Sequence, residues 1–330
     1  MIRDIRRTAV LGSGVMGSAI AAHLANAGIS TLMLDVVPPD LSGADAANRA
    51  KRNSVAENGK QALLKIKPSP VYLRDNLDLI EVGNLEDDLP LIAECDWVIE
   101  VVKEDAAIKR RLFEGVARHR RPGTIVSSNT SGIPIHSMLE PMDADMRAHF
   151  LGTHFFNPPR YLKLLEIIPN ADTLPEVVAF MARFVEDVLG KGVVYAKDTP
   201  NFVANRILTY ASQYILSEFP KRGLTVADVD ALTGPAIGHA SSGTMRTLDL
   251  VGLDTYLHVV GNVYNNCPND EARGLMAPAP WLTAMVEKGA LGTKSGAGFF
   301  KKTDKRDENG KPVILSLDIN TLEYAPQKKP

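Results

Sequence analysis

Thr8-Ala9-Val10-Leu11-Gly12-Ser13-Gly14-Val15-Met16-Gly17 runs a short apolar segment into a GxGxxG spacing, and an alanine-rich periodic stretch follows from Ser18 to Ala27 and Gly28. That order reads as a buried parallel strand, a tight turn and a helix with a glycine stop. Gly12 makes the turn, Gly14 lets backbone approach a diphosphate, and Gly17 lets helix and strand pack closely. Val15 and Met16 open the helix whose positive end would carry the diphosphate. Residues 31–34 form a second apolar strand that ends in Asp35, 18 residues past Gly17. A carboxylate at that point accepts hydrogen bonds from an adenosine ribose and repels a 2′-phosphate, which favours NAD over NADP. The bland alternative is a glycine turn beside a surface aspartate.

Outward from this motif, residues 79–82, 97–99 and 124–127 are further short β-rich runs, with a helical pattern over 107–118. The alternation predicts an α/β fold, a Rossmann-type doubly wound and mainly parallel sheet. Residues 38–77 are polar and charged, too long for a simple connection, and read as a helical insertion. Residues 150–156 and 162–168 form two strand-like runs around a proline-containing loop, which predicts an antiparallel pair at the sheet edge. A helix near 176–189 and a strand at 192–196 come next. After Lys197-Asp198-Thr199-Pro200 the pattern turns helical at 202–218, 226–233, 253–264 and 280–288, a smaller all-α domain. The expected division is a dinucleotide-binding domain at 1–197, a helical substrate or dimerisation domain at 198–302, and a linker-like tail at 303–330 ending in Gln327-Lys328-Lys329-Pro330.

Two domains are natural for 330 residues, and 45% hydrophobic with 23% charged residues is ordinary soluble composition. A net charge of −2 advertises no field for nucleic acid or an anionic membrane. Cys95 and Cys267 lie far apart without a CxxC, as expected of reduced core residues in a cytoplasmic protein. The basic N-terminus leads into the first strand and its glycines, not into a signal peptide. No apolar run approaches the roughly 20 residues of a membrane span. No HxH, HExxH or Cys/His cluster implies a metal.

The second informative block is His154-Phe155-Phe156-Asn157-Pro158-Pro159, with Glu166 twelve positions after the histidine. If the loop centres on Arg160, positions summing to 320 face each other, and His154 and Glu166 sum to 320. They would be a direct cross-strand pair with Cβ atoms roughly 5 Å apart. A carboxylate there fixes the imidazole tautomer and stabilises the imidazolium, as a general base requires. On register alone, a purely structural His–Glu pair is an equal reading. The other six histidines show no such pairing.

Together these blocks resemble the L-3-hydroxyacyl-CoA dehydrogenase family of fatty-acid β-oxidation. The likeness runs nearly the whole chain to Gly298-Phe299-Phe300 and includes Ser128-Asn129-Thr130-Ser131, the His154 block, Lys197-Asp198-Thr199-Pro200 and Phe202-Val203-Ala204-Asn205-Arg206. It is similar above all to bacterial long-form enzymes with an enoyl-CoA hydratase region after the dehydrogenase. The resemblance implies NAD-dependent oxidation of L-3-hydroxyacyl-CoA to 3-ketoacyl-CoA, with an acyl-CoA substrate. It is compatible with a homodimer and with a thiolase or hydratase partner. It makes His154 the base, Glu166 its partner, Ser131 a residue near the substrate oxygen and nicotinamide, and Asn205 a substrate contact. Glu104 and Lys109 fall on cofactor-contacting positions, and Asn157 lines the site. Ser131 as a turn residue, Asn205 as a helix cap, and Glu104 and Lys109 as solvated charges are the plain alternatives. Asn201 stands where the family often has glycine, and asparagine also tolerates left-handed backbone. Lys51, Arg52, Lys60, Lys65 and Lys67 are a basic supply for CoA phosphates. Oxidation of a free hydroxy acid or sugar acid, and a nucleotide-binding scaffold of a larger β-oxidation enzyme, stay open as other functions.

Overall fold

Strand β1 (Arg7–Leu11) is buried after its first residue and leads through the glycine turn into α1 (Val15–Asn26). The computed structural model describes residues 4–140 and 142–327; the Met1–Arg3 start and the Lys328-Lys329-Pro330 end of the expected tail lie outside the described residues. The chain divides into two units, Met1–Phe202 and Val203–Pro330. In the first, α1 buries Gly17, Ser18, Ala19, Ala21, Ala22 and Ala25. Small side chains let this helix lie close to the sheet. Strand β2 (Ser30–Asp35) follows, then the short helices α2 (Arg49–Arg52) and α3 (Ser54–Ala62). The region expected as a helical insertion is therefore two brief helices flanked by 3-10 turns at Gly43–Ala47 and Arg74–Leu79.

Strands β3 (Ile80–Asn84) and β4 (Trp97–Glu100), helix α4 (Ala106–His119), strand β5 (Ile125–Ser128), helix α5 (Ala144–Ala148) and strand β6 (Phe150–Phe155) complete the parallel part. Strand β7 (Leu164–Pro169) runs antiparallel to β6, and after α6 (Pro175–Asp187) strand β8 (Gly192–Tyr195) pairs parallel with β7. The order is β3-β2-β1-β4-β5-β6-β7-β8. The antiparallel pair is thus one strand inside the edge, because β8 covers β7. The near-continuous apolar content of β1, β4 and β6 follows from burial on both faces. Val10, Ile20, Leu24, Met33, Trp97, Leu151 and Ile167 share one core. Each large side chain there contributes about 1.5–3 kcal/mol by burial.

The second unit contains α7 (Ala204–Glu218), α8 (Val226–Thr233), α9 (Met245–Val251), α10 (Leu253–Asn266) and α11 (Pro280–Glu287). Thr225 and Asp228 form a reciprocal capping box that starts α8. The expected linker-like tail is instead a three-stranded antiparallel sheet of β9 (Phe300–Arg306), β10 (Pro312–Asp318) and β11 (Glu323–Pro326). Leu317 of β10 joins Phe219, Val229, Leu248, Tyr256 and Phe299 in the unit's core. Tyr324 donates its hydroxyl to the Gly298 carbonyl at 2.7 Å. The buried Asp249 carboxylate accepts the Phe299 and Phe300 N–H groups at 2.8 and 2.9 Å, and burial pushes it up to about 6. No helix among the described residues is long and apolar enough to cross a membrane.

Candidate active site

The parallel strands β1, β4, β5 and β6 place their carboxyl ends on one edge of the sheet. Those ends and the segments that follow them carry the glycine loop, Glu104, Ser131, His154 and Asn157, as open α/β sheets require, while Asp35 ends β2 and Glu166 lies on β7.

At the end of β1 the three glycines do three different things. A Cβ on Gly12, whose φ is +111°, would lie 2.6 Å from the Val101 carbonyl oxygen, and one on Gly17 would lie 1.9 Å from the Gly12 oxygen. Neither position has room for a side chain. A Cβ on Gly14 would meet nothing within 4 Å, which leaves that face open to an approaching group. Helix α1 has no side-chain cap and no acidic residue in its first turn, so its positive end is uncompensated. The Asp35 carboxylate accepts the Ser13 N–H at 2.5 Å and the Ser13 hydroxyl at 2.6 Å. An acidic group at the end of β2, an open glycine and a bare helix N-terminus together fit a dinucleotide's ribose and diphosphate. Sequence reading missed Gly59: a Cβ there would lie 2.5 Å from the Ser13 oxygen, so α3 packs directly on the glycine loop.

The register across β6 and β7 pairs His154 with Glu166. Nδ1 of His154 lies 2.7 Å from Oε2 of Glu166, and Nε2 lies 3.0 Å from Oγ of Ser131. His154 is 4% exposed and Glu166 is fully buried. With Nδ1–H donating to the carboxylate, Nε2 is left as an acceptor, which the serine hydroxyl fills. The imidazole packs against Phe156 and Phe202, with ring centroids 4.5 and 5.6 Å away. This relay can accept a proton at Nε2 and hold the resulting charge.

The loop that carries Ser131 is fixed by Glu104, which sequence reading expected as a cofactor contact, with Lys109 and the unforeseen Glu100 behind it. Oε1 of Glu104 accepts the Thr130 hydroxyl and the N–H groups of Ser131, Gly132 and Ile133, the last three at 3.2, 3.3 and 3.4 Å. Lys109 Nζ lies 2.7 Å from Glu100 Oε1 and 3.0 Å from Glu104 Oε2. Burial opposes ionisation of Glu104, yet the Lys109 ammonium and the loop's hydrogen bonds hold its carboxyl below the usual range. At Glu100, burial outweighs Lys109 and pushes the carboxyl up. Glu100 also accepts the Ser128 hydroxyl at 2.5 Å. Lys109 was expected as a cofactor contact. At 1% exposure its ammonium has no surface to offer a ligand, and it serves as the internal counter-charge of two glutamates. A lone glutamate ending the apolar run Trp97-Val98-Ile99-Glu100, nine residues before a lysine, was the available signal. Asn129 is a second missed residue: its side-chain oxygen accepts the Phe155 N–H at 2.9 Å and fixes the end of β6 beside His154.

Asn157 is exposed in the loop after β6. Asn205 stands in the first turn of α7 in the second unit, partly buried, its carbonyl accepting the Thr209 hydroxyl at 2.6 Å. Cys95 is buried, which pushes its thiol up to about 12, and Cys267 is partly buried. Among the described residues no cluster of His, Cys, Asp and Glu is arranged to hold a metal ion.

Residues 7–199 match the family model for the 3-hydroxyacyl-CoA dehydrogenase NAD binding domain, and residues 202–302 match that for the 3-hydroxyacyl-CoA dehydrogenase C-terminal domain. A probable 3-hydroxyacyl-CoA dehydrogenase of Bacillus subtilis is 50% identical over 335 residues, which is 100% of this chain but 41% of the relative. A protein of the same description from Deinococcus radiodurans is 48% identical over 93% of this chain and 85% of its own length. The crystal structure of M. tuberculosis FadB2 superposes with a TM-score of 0.72 at 31% identity, over 91% of this chain and 100% of that one. The chain thus spans less than half the length of its Bacillus relative.

Proposed function

The chain belongs to the 3-hydroxyacyl-CoA dehydrogenase family, and on that premise we propose that it oxidises the 3-hydroxyl of an L-3-hydroxyacyl-CoA to the ketone, with NAD+ as acceptor. The observation that carries this reading is the buried Ser131–His154–Glu166 relay, on the same sheet edge as the open glycine loop.

Bound NAD+ supplies the acceptor for the hydride that leaves C3. Gly12, Gly14, Val15, Met16 and Gly17 would hold its diphosphate, and Asp35 its adenosine ribose. His154 takes the hydroxyl proton at Nε2. Glu166 stabilises the imidazolium through Nδ1, a contribution that burial of the pair makes larger. Ser131, whose hydroxyl fills Nε2 in this structure, turns that hydroxyl to the substrate oxygen and holds it for transfer. Asn157 and Asn205 are assigned to substrate and cofactor positioning on the family likeness. Glu104 keeps the Ser131 loop rigid, so no reorganisation is needed as charge moves.

For the CoA phosphates, Lys51, Lys65 and Lys67 are exposed. Arg52 is held by Glu86 and Asp87, and Lys60 donates to the Ile80 carbonyl at 2.7 Å. We therefore favour the three exposed lysines. A fatty-acid oxidation role in the cytoplasm, with a hydratase or thiolase partner, draws its support from two Rickettsia relatives described as putative fatty acid oxidation complex trifunctional enzymes, 33% and 31% identical over this chain and 44% of their own length.

The test is NADH absorbance with acetoacetyl-CoA, run against free 3-keto acids and NADPH. Turnover that needs the CoA thioester and NADH supports the reading. Equal turnover of free acids, or inactivity in the complete protein, refutes it.

A further inference from the structure

The motif Lys197-Asp198-Thr199-Pro200 has no role in the relay described above, yet its aspartate is tied to the loop that carries Ser131. Oδ1 of Asp198 accepts the Ile135 N–H at 2.7 Å, and Oδ2 accepts the His136 N–H at 2.9 Å. Oδ2 also lies 2.6 Å from Nδ1 of His136. The carboxylate is only 14% exposed although the histidine is 67% exposed, so Asp198 is built into the structure and the imidazole lies over it. Charge-assisted bonds to main-chain N–H groups are the stronger class of hydrogen bond, and two here run to consecutive residues.

These contacts complete a pattern. Residues 130–133 are gathered by Glu104 on one side, and residues 135–136 by Asp198 on the other. Ser131 lies within the stretch that Glu104 gathers, four residues ahead of the Ile135 that Asp198 holds. Four residues past Asp198, Phe202 packs its ring against His154 after a turn in which Asn201 and Phe202 take φ of 61° and 50°. The end of the first unit therefore touches two parts of the relay: the loop that carries Ser131, at residues 135 and 136, and the ring of His154.

We propose that Asp198 is a positioning residue, whose carboxylate pins residues 135–136 so that the Ser131 loop keeps its hydroxyl within reach of both His154 Nε2 and the substrate oxygen. The inference rests on the dehydrogenase reading above. Asp198 touches no reacting atom, so it acts through Ser131.

The experiment is a double-mutant cycle on the full chain, Ser131→Ala against Asp198→Ala, with amide hydrogen exchange of residues 131–138 measured alongside. Asp198→Ala should speed exchange at residues 135 and 136 and lower kcat about tenfold or more, with KM for NADH changed less than about threefold. In the Ser131→Ala background the same change should cost less than about twofold, because the group it positions is gone. Asp198→Asn keeps one acceptor and should recover part of kcat, which guards against a fold defect in the alanine variant. Losses that multiply in the double variant overturn the proposal, as does wild-type kcat in Asp198→Ala. Exchange reports the tether without turnover. Slow exchange in an inactive wild type would sink the dehydrogenase reading, whereas exchange unchanged by Asp198→Ala in an active enzyme would sink the tether.

Discussion

Lys109→Met gives the most searching test of the physics in the first unit. The substitution keeps the stem's apolar volume and removes an ammonium that is 1% exposed. Glu100, itself fully buried, keeps its bonds from Ser128 and the Val102 N–H but loses its counter-charge. Breaking one partner out of a buried pair costs about 3–5 kcal/mol, mostly the penalty of the stranded charge. The Glu104 arm adds little, since its side chain is 36% exposed and water replaces the lost partner. The penalty must also depend on pH. Burial already holds the Glu100 carboxyl above its ordinary 4.5, and loss of Lys109 moves it further up. The native state then keeps a proton that the unfolded chain releases, so stability falls as pH rises above about 4.5. Urea unfolding would be followed by the fluorescence of buried Trp97, in a Trp281→Phe background that silences the second unit. The expected loss is small near pH 5 and approaches about 3–5 kcal/mol near pH 8. Adding Glu100→Gln should return about 2 kcal/mol or more at the higher pH. A loss below about 1 kcal/mol, or one that is flat with pH, refutes the assignment of Lys109 as an internal counter-charge.

Other outcomes follow from the same geometry. His154→Gln should lower kcat about 10²–10⁴-fold with NAD affinity near wild type by fluorescence titration; near wild-type turnover removes His154 from the role of base. Gly14→Ala should leave the melting temperature within a few degrees yet weaken NAD binding. Gly17→Ala should destabilise the fold, since its Cβ would lie 1.9 Å from the Gly12 oxygen; calorimetry and NADH titration separate the two. Asp35→Ala should weaken NAD binding, and unchanged affinity would count against its ribose role. His23 is lowered to about 4 by burial from 6.5. The unfolded chain binds a proton there first, so the first unit loses about 3 kcal/mol as pH falls from about 6.5 to about 4, and His23→Gln should flatten that slope in a calorimetric pH series.

What the sequence disclosed was what short-range pattern controls. The GxGxxG turn and Asp35 lie within one βαβ span, and the hairpin register of His154 and Glu166 follows from a symmetric loop, so both could be read by counting. The Glu100–Lys109–Glu104 set could not be read by counting: a glutamate ending an apolar run hints at a buried charge, but spacing does not say which charges a fold will bury together. Asp198 read as punctuation for the same reason: its partners at 135 and 136 are over sixty residues earlier. The sheet after residue 300 was hidden by composition. Phe300-Lys301-Lys302-Thr303-Asp304-Lys305-Arg306 alternates no apolar face and looks like linker. Lysines suit an edge strand, where they discourage pairing with another chain, and the strand is held by main-chain bonds to β10.

That terminal sheet bears on how such units are passed between proteins. The family match for the second unit stops at residue 302, but the core it closes runs on to Leu317 and Tyr324. A recombination event or an engineered fusion that cut at residue 302 would strip the helices of a cover and bare apolar surface around Phe299. In this chain the second unit's core runs past residue 302 to Leu317 and Tyr324, so a junction that spares it belongs after the terminal sheet.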